Sequence, residues 1–425
     1  MHFGMITPAV PGHLHPFGAL GRELIRRGHR VSVFHMHDLC PQVAAEGLEF
    51  VPIGAAICAP GFLPRSIARI GQLGGIQALR FVISQIRTTT EMFFEDGPEA
   101  IRGAGVDALL VDQTEPAGGS IAEHLGIPFV TVCNALALNR EAGVPPPFTP
   151  WSFRIGFAAR LRNRIGNAAV HWVTKPVYRV VARYREEWKL PPLRSPEDSY
   201  SKLAQVSQQP LAFDFPRKAL PDSFHYVGPL RSPGARQIPF PWEKLDGRPL
   251  IYASLGTLQT GKSWIFQCFA EACRGLDVQL VIAHGGALDE AAARCLPGGP
   301  VAVAFAPQRE LLARAALALS HAGLNTVLDA LSFGVPIIAV PIAFEQPAIA
   351  SRLAWCGAGC VVPLAKLSPA RLRKAILQVL KNVEYRENAI VVKESIDQAG
   401  GVERAAGLIE EVLGRLEHKA EVKAL

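Results

Sequence analysis

Short apolar segments alternate with helix-like segments along the chain, and this alternation limits the possible folds more than any other feature of the sequence. In the first half the apolar segments have the length and composition of buried strands: HFGMIT (2–7), RVSVFHM (30–36), DALLVD (107–112) and IPFVTV (127–132). Between them lie segments with helical periodicity, such as FGALGRELIRRGH (17–29) and GGSIAEHLG (118–126). Strands that alternate with helices predict a parallel sheet covered on both faces.

The alternation restarts after residues 213–247, which contain six prolines and little periodicity. The later apolar segments are PLIYASL (249–255), VQLVIAH (278–284), VAVAFA (301–306), ALALSH (316–321) and VPIIAVP (335–341). A chain of 425 residues is also too long for one ordinary core. We therefore predict an α/β protein with two facing, doubly wound, Rossmann-like domains and a ligand cleft between them. The predicted divisions are an N-terminal domain (1–215), a proline-rich linker (216–247), a C-terminal domain (248–400) and a closing helix (401–425).

The charge of the chain is concentrated in one segment. Residues 151–190 hold nine Lys and Arg against two Glu, which equals the net charge of +7 of the whole chain. Aromatic residues are interleaved with these basic residues, a composition that suits an anionic membrane surface. A solvated pair of helices over the N-terminal core is the alternative. Nucleic acid has less support as a partner, because no recognition motif is present.

Cysteine usage and the N-terminal sequence bear on the compartment. Eight scattered cysteines without paired spacing indicate free thiols in a reducing cytoplasm. The first 21 residues lack the basic start of an export signal, and prolines and glycines interrupt them. No apolar run reaches the roughly 18 residues of a membrane-spanning helix. We expect a cytoplasmic protein that associates peripherally with the inner face of the membrane.

The stretch HAGLNTVLDALSFGVP (321–336) carries several polar groups at the start of a predicted helix. His321 ends a strand, and Asn325 is predicted as the helix N-cap, followed by Thr326. The free backbone N–H groups of such a helix start bind anions, above all phosphate. Gly323 allows close approach, and His321 can donate a hydrogen bond to phosphate. Asp329 lies one turn later on nearly the same face, where a carboxylate suits a ribose diol.

Three neighbouring strand ends add groups at the same edge of the predicted sheet. Glu345 and Gln346 follow one strand and suit sugar hydroxyls. Phe305, Ala306 and Gln308, in FAPQ, close another and bring an aromatic ring that can cover a base. Ser254 and Thr257, in SLGT, end the first strand of this half, near the expected phosphates. Together these groups predict a site for a nucleoside diphosphate sugar.

Motifs for other nucleotide chemistry are missing from the sequence. There is no DxD, so a metal-bound diphosphate lacks its usual ligands, and we predict no metal site. There is also no GxGxxG after a strand and no GxxxxGK[ST], which removes support for dinucleotide oxidoreduction and for NTP hydrolysis. The helix start and His321 would stabilise a departing diphosphate instead.

A histidine in the loop PAVPGHLHP (8–16) is the predicted catalytic base. Gly12 shapes the loop after the first strand, and His13 is expected to face the cleft. An alcohol that attacks a sugar needs a base with a near-neutral pKa, which histidine provides. Asp112 ends a strand at the same edge and can fix the imidazole tautomer. His15 is the competing candidate.

These motifs resemble those of the inverting, nucleotide-sugar-dependent glycosyltransferases with two Rossmann-like domains, the GT-B fold. The resemblance rests on Phe305 to Gln308, His321 to Asp329 and the Glu345–Gln346 pair. It implies that Phe305 stacks on uracil and that Gln308 contacts the base or ribose. The diphosphate would be held by His321, Asn325 and Thr326, and the ribose by Asp329. The hexose would be bound by Glu345 and Gln346. The catalytic base and its partner are matched by His13 and Asp112. Phe305, Asp329 and Glu345 replace the more common Trp, Glu and Asp.

A closer resemblance, over nearly the whole chain, is to members of this family that act in bacterial carotenoid pathways. It rests on stretches such as VDQTEPAG (111–118), DFPRKALPDSFHYVGPLR (214–231) and FEQPAIASR (344–352). It implies UDP-glucose as co-substrate, no cofactor, and a ring hydroxyl of an apolar xanthophyll carotenoid as acceptor. The alternatives are a macrolide- or sterol-type acceptor, a UDP-sugar epimerase built on the same domains, and a non-catalytic carrier of apolar ligands.

Overall fold

The computed structural model describes residues 1–232, 238–256 and 262–424, and within them two parallel β-sheets form the centres of two domains. The N-terminal sheet has seven strands in the order β3-β2-β1-β4-β5-β6-β7, all paired in parallel. Its strands are β1 (His2–Ile6), β2 (Arg30–His35), β3 (Glu49–Pro52), β4 (Ala108–Asp112), β5 (Phe129–Cys133), β6 (Gln205–Ser207) and β7 (Phe224–Tyr226). The strand order reverses beside β1, so β1 and β4 end at the switch point where such folds bind ligands.

The C-terminal sheet has six parallel strands in the order β10-β9-β8-β11-β12-β13. They are β8 (Leu250–Ser254), β9 (Gln279–Ala283), β10 (Val301–Val303), β11 (Ala315–Ser320), β12 (Ile337–Ala339) and β13 (Gly359–Val361). Here the order reverses beside β8, between β8 and β11. The predicted phosphate-binding turn follows β11, so it lies at the switch point of its own sheet.

Helices cover both faces of each sheet. In the N-terminal half they are α1 (Pro11–Arg26), α2 (Cys40–Ala45), α3 (Phe62–Gln72), α4 (Gly75–Ala104), α5 (Gly118–Leu125) and α6 (Phe157–Glu187). In the C-terminal half they are α7 (Ser263–Cys273), α8 (Glu290–Arg294), α9 (Gln308–Leu312), α10 (Leu324–Ser332), α11 (Gln346–Trp355), α12 (Pro369–Lys381), α13 (Glu384–Ala399) and α14 (Gly401–Ala424). The predicted α/β class with two doubly wound domains is confirmed.

The structure corrects the predicted domain divisions at two places. The segment 216–247, assigned to a linker, contributes β7, which pairs with β6 and completes the N-terminal sheet. The sequence did not reveal β7 because a strand of three residues is too short to show alternating periodicity in a segment with six prolines. The closing helix α14 also belongs to the N-terminal domain, because Val402, Ile409 and Leu413 are buried in one core with Phe3 and Met5 of β1.

A buried ion pair joins the two domains at the side of the cleft. The Arg352 guanidinium on α11 donates to Asp214 at 2.9 Å, and both side chains are 1% exposed. Arg217 and Tyr226 donate to the other oxygen of Asp214, each at 2.9 Å. Arg352 also lies over the ring of Phe215, 4.4 Å from its centroid. This cluster fixes the C-terminal domain against the last strands of the N-terminal sheet.

None of the helices in the described part of the chain is long and apolar enough to cross a membrane.

Candidate active site

His13 and Asp112 form a hydrogen-bonded pair where α1 meets the end of β4. The His13 Nδ1 lies 2.8 Å from Asp112 Oδ2, with the carboxylate fully buried and the imidazole 15% exposed. His13 lies in the first turn of α1 and not in a loop as predicted, because Pro11 starts the helix six residues earlier than expected. The bond through Nδ1 leaves Nε2 as the nitrogen that can accept a proton.

The surroundings of Asp112 keep it ionised. Its Oδ1 accepts from the Thr114 backbone N–H at 2.9 Å and the Thr114 hydroxyl at 2.6 Å, and its Oδ2 also accepts from Asn134 at 2.8 Å. Burial opposes the charge, but His13 and the Thr114 donors outweigh it and lower the pKa of Asp112. Burial likewise acts to lower the pKa of His13, yet Asp112, and after it Glu345, raise that pKa overall. A raised pKa makes His13 a stronger base.

His15, the competing candidate, is directed away from this pair. Its Nδ1 lies 2.8 Å from Oε1 of Glu46, the residue that follows α2, and its side chain is 58% exposed. The helix accounts for the difference, since residues two apart on a helix point in different directions. Of the two histidines, His13 is the one that is hydrogen-bonded to Asp112.

Glu115, which the sequence analysis did not single out, lies beside the pair. It follows β4, is 7% exposed, and burial together with the Asp112 charge raises its pKa to about 8. Its Oε2 is buried, and no hydrogen-bond partner for it exists within the described residues. A neutral carboxyl next to the proposed base is thus a property of this site. In the sequence, only its position three residues after Asp112, at the end of a predicted strand, could have indicated it.

The turn between β11 and α10 has a tight, sterically restricted backbone. Ala322 has a left-handed φ of +66°, rare for a residue other than Gly, Asn or Asp. A Cβ on Gly323 would lie 2.5 Å from His321 Nε2, so only glycine leaves the imidazole in place. Burial lowers the pKa of His321 to about 4, so it is neutral at pH 7. Its Nδ1 is buried without a partner among the residues described.

Asn325 bridges the two domains instead of capping the helix. Helix α10 begins at Leu324 with Gly323 as the N-cap, so the predicted N-cap role of Asn325 is wrong: the extended backbone of Gly323 leaves Asn325 inside the first turn. The Asn325 Nδ2 donates to the Gly12 carbonyl at 2.9 Å, and its Oδ1 accepts from Gln208 at 3.2 Å. Thr326 follows it and is buried. These contacts bring the first turn of α1, with His13, opposite the N-terminus of α10.

Asp329 and Gln308 hold each other at the predicted ribose position. The Gln308 Nε2 donates to Asp329 Oδ2 at 2.7 Å, and the Tyr252 hydroxyl donates to Gln308 Oε1 at 3.2 Å. The Asp329 Oδ1 accepts from Arg231 at 2.7 Å, a residue that the sequence analysis did not identify. Phe305 is near Gln308 in the chain, and its ring is 59% exposed, as a platform for a base requires; Ala306 is buried behind it.

The loop after β12 positions the remaining predicted residues. The Gln346 Oε1 accepts from the backbone N–H groups of Ile342 and Ala343, at 2.8 and 2.9 Å, which shapes the loop. Glu345 precedes α11 and is close enough to act on the pKa of His13 across the cleft. Ser254 ends β8 and its hydroxyl accepts from the Gly256 N–H at 3.3 Å. Thr257 lies outside the described residues.

The described residues include no group of three His, Cys, Asp or Glu side chains arranged to hold a metal ion.

Comparison with known proteins shows which family this chain resembles in sequence. The sequence pattern of the family described as "UDP-glucoronosyl and UDP-glucosyl transferase" matches residues 94–402. A zeaxanthin glucosyltransferase of Pantoea ananas is 35% identical, covering 97% of this chain and 96% of the relative. A zeaxanthin glucosyltransferase of Pseudescherichia vulneris is 34% identical, covering 97% and 98%.

Solved structures show the same architecture. The calicheamicin glycosyltransferase CalG4 superimposes with a TM-score of 0.76 at 24% identity, covering 97% of this chain and 98% of that one. The glycosyltransferase VinC, solved with dTDP, gives a TM-score of 0.70 at 21% identity, covering 98% and 100%. The two facing domains thus have the GT-B fold. With the family match and the two near-full-length relatives, they establish that this chain is an enzyme that belongs to the family of UDP-glucuronosyl and UDP-glucosyl transferases.

Proposed function

We propose that this enzyme transfers glucose from UDP-glucose to a hydroxyl of an apolar acceptor, with inversion at the anomeric carbon and without a metal ion. The acceptor that best fits is the xanthophyll zeaxanthin, giving the mono- and the diglucoside. The observation that carries the proposal is the buried His13–Asp112 pair held opposite the start of α10 by the hydrogen bond from Asn325 to Gly12.

In the proposed reaction His13 Nε2 takes the proton of the acceptor hydroxyl as its oxygen attacks C1 of glucose. The C1–O bond to the diphosphate breaks on the opposite face, so an α-linked donor gives a β-glucoside and UDP leaves with the electron pair. Asp112 stabilises the imidazolium that forms. The amides at the start of α10 and the neutral His321 would receive the charge that develops on the diphosphate.

The donor and acceptor are supported by the two relatives that share more than a third of their residues with this chain and are zeaxanthin glucosyltransferases. A macrolide-type acceptor has weaker support, from a demethyllactenocin mycarosyltransferase of Streptomyces fradiae at 26% identity. A non-catalytic carrier has no use for a base paired with a buried carboxylate, whereas an epimerase would convert the UDP-sugar without any acceptor.

Contact with an anionic membrane is part of the proposal, because a carotenoid dissolves in lipid. It is supported by the first half of α6, where Phe157, Leu161, Ile165 and Trp172 form one apolar stripe along the helix. These side chains are between 47% and 81% exposed. Exposed basic residues lie along one side of the stripe: Arg160, Arg164 and Lys175. Apolar side chains beside basic ones fit the interface of a bilayer. These features support our proposal that the reaction takes place at the inner face of the cytoplasmic membrane.

The proposed reaction is tested with purified enzyme, labelled UDP-glucose and a panel of zeaxanthin, a sterol and a macrolide, in the presence of EDTA. We expect labelled zeaxanthin mono- and diglucosides with a β-linkage, detected by chromatography and NMR, and no epimerised UDP-sugar without acceptor. Preference for the macrolide or the sterol would reject the acceptor, and loss of turnover in EDTA would reject the metal-free mechanism.

Membrane contact is tested by co-sedimentation with vesicles of anionic or neutral lipids. Reversal of charge at Arg160, Arg164 and Lys175 is expected to abolish binding to anionic vesicles, and Trp172→Ser to weaken it. Reversal at Arg274, Arg294 and Arg415, exposed residues outside α6, is the matched control. Equal binding by both triple variants would reject α6 as the docking surface while leaving the transfer reaction untouched.

A further inference from the structure

Arg231 lies at the junction of the two domains and contacts the candidate nucleotide site. It follows β7 and is 19% exposed. Its Nε donates to Asp329 Oδ1 at 2.7 Å, and its Nη2 donates to the carbonyl and the side-chain oxygen of Asn325 at 3.2 and 3.3 Å. Its Nη1 donates to Gln208 of the N-terminal domain at 3.3 Å. One guanidinium therefore contacts both the proposed ribose acceptor and the proposed diphosphate ligand.

The position of this cation is electrostatically unusual. The N-terminus of a helix carries a partial positive charge, so a cation there is unfavourable unless an anion lies between them. Arg231 is next to Asn325, in the first turn of α10. Asp329 compensates its charge, but this carboxylate also accepts from Gln308 and lies 3.4 Å from Arg309. Two guanidinium groups and a helix start thus share a single carboxylate.

Binding of a nucleotide would change these contacts. Both oxygens of Asp329 are occupied, Oδ1 by Arg231 and Oδ2 by Gln308. A ribose diol that donates to both oxygens competes with these donors, because Oδ1 already accepts from Arg231 and also lies 3.4 Å from Arg309. The freed guanidinium would remain within reach of Asn325, where the diphosphate is proposed to bind.

We propose that Arg231 is a donor-binding residue, which releases Asp329 when the ribose binds and then pairs with the diphosphate of the nucleotide sugar. The proposal rests on the proposed function, because it assumes a nucleoside diphosphate at the start of α10. A planar guanidinium binds phosphate oxygens through two parallel hydrogen bonds, which suits this exchange. The ion pair between Arg231 and Asp329 is then replaced by one between Arg231 and the diphosphate, which carries more negative charge than a carboxylate.

Arg309 provides a matched control for this role. It also lies near Asp329, but its contact is longer, its side chain is 42% exposed, and its guanidinium lies over the ring of Phe333, 5.1 Å from the centroid. Among the described residues it makes no hydrogen bond to Asn325 or to the N-terminal domain. Replacement of Arg309 removes a guanidinium from the surroundings of Asp329 but removes no group from the proposed diphosphate position.

The test compares binding of UDP and of uridine by calorimetry to the wild type, Arg231→Ala, Arg231→Gln and Arg309→Ala. Both Arg231 variants are expected to bind UDP about ten- to a hundredfold more weakly, the range for a hydrogen bond between charged groups. Uridine affinity is expected to stay the same or to rise, because Asp329 no longer has to release a cation. Arg309→Ala is expected to change UDP affinity by less than about threefold, as for exposed ion pairs.

Opposite results separate the explanations. Equal weakening of UDP and uridine by the Arg231 variants would mean that Arg231 only orders the site, and unchanged UDP affinity would exclude contact with the diphosphate; either result overturns the proposal. If the wild type binds no UDP, the proposed donor itself is wrong. The Gln variant keeps a neutral polar side chain of intermediate length, so the test stays decisive if the Ala variant fails to fold.

Discussion

Asp112→Asn is the substitution whose effect follows most directly from the structure. The carboxylate accepts four hydrogen bonds, from the Thr114 N–H and hydroxyl, from Asn134 and from His13. An amide has one oxygen to accept and an NH₂ group that donates. If the amide oxygen stays with Thr114, the NH₂ group faces His13 Nδ1. It then donates to that nitrogen, so the proton of the neutral imidazole moves to Nε2, which can no longer accept a proton from the sugar acceptor.

The expected loss is that of general base catalysis, on the order of 10²- to 10⁴-fold in the rate of transfer. That factor corresponds to roughly 3–5 kcal/mol in the activation free energy. Because Asp112 raises the pKa of His13, the acid limb of the pH–rate profile is also expected to move to lower pH. UDP affinity should not change, since Asp112 is fully buried and does not contact the proposed nucleotide position.

Single-turnover assays with saturating UDP-glucose, between pH 5 and 9, measure the rate and its pH dependence, and calorimetry measures UDP binding. Thr114→Val is the control, because it removes one hydrogen bond of Asp112 and keeps its charge; it is expected to cost less than about tenfold. If Asp112→Asn kept its rate within tenfold of the wild type, with an unshifted acid limb, His13 would not be the base.

Three further predictions concern other parts of the site and the domain junction. The pKa of Glu115 is about 8 in the folded enzyme and 4.5 in the unfolded chain, so its ionisation lowers the stability of the fold as pH rises between these values. Glu115→Gln should therefore raise the thermal midpoint at pH 8 and change it little at pH 4. Gly323→Ala places a methyl group 2.5 Å from His321 Nε2, and calorimetry should show at least tenfold weaker UDP binding with normal folding. Asp214→Asn leaves Arg352 buried without its anion and should cost about 3–5 kcal/mol of unfolding free energy at pH 7 by urea titration. That difference should shrink as pH falls through the lowered pKa of Asp214, about 2, and Arg352→Met in the same chain should restore most of the loss.

The sequence was sufficient to predict the fold class and the ends of most strands, because buried parallel strands carry a continuous apolar signal. The β1, β4, β8 and β11 strands were all predicted within two residues of their observed ends. Residues that follow such strands converge at one edge of the sheet for reasons of topology alone. This rule was enough to place His13 near Asp112.

The contacts between the domains were not predictable in the same way. Asn325 was read as a helix cap, whereas its side chain reaches Gly12 of the other domain. Arg231 and Gln208 gave no local signal, since an Arg after a Gly-Pro-Leu turn and a Gln after a short strand are ordinary surface residues until the two domains meet. Glu115 was passed over because its neutral state follows from burial, which depends on the complete fold.

Helix α14 follows the C-terminal domain in the sequence but packs against α1 and shares a core with β1, and this order of assembly matters during synthesis. Apolar side chains of α14 fill the core beside β1, and Glu410 pairs with Arg27 and His29 just after α1. The N-terminal sheet therefore keeps an uncovered apolar face until α14 has been synthesised, which happens only after the whole C-terminal domain. Domains usually fold one after another as they emerge, but here the first domain can mature only after the second has been made.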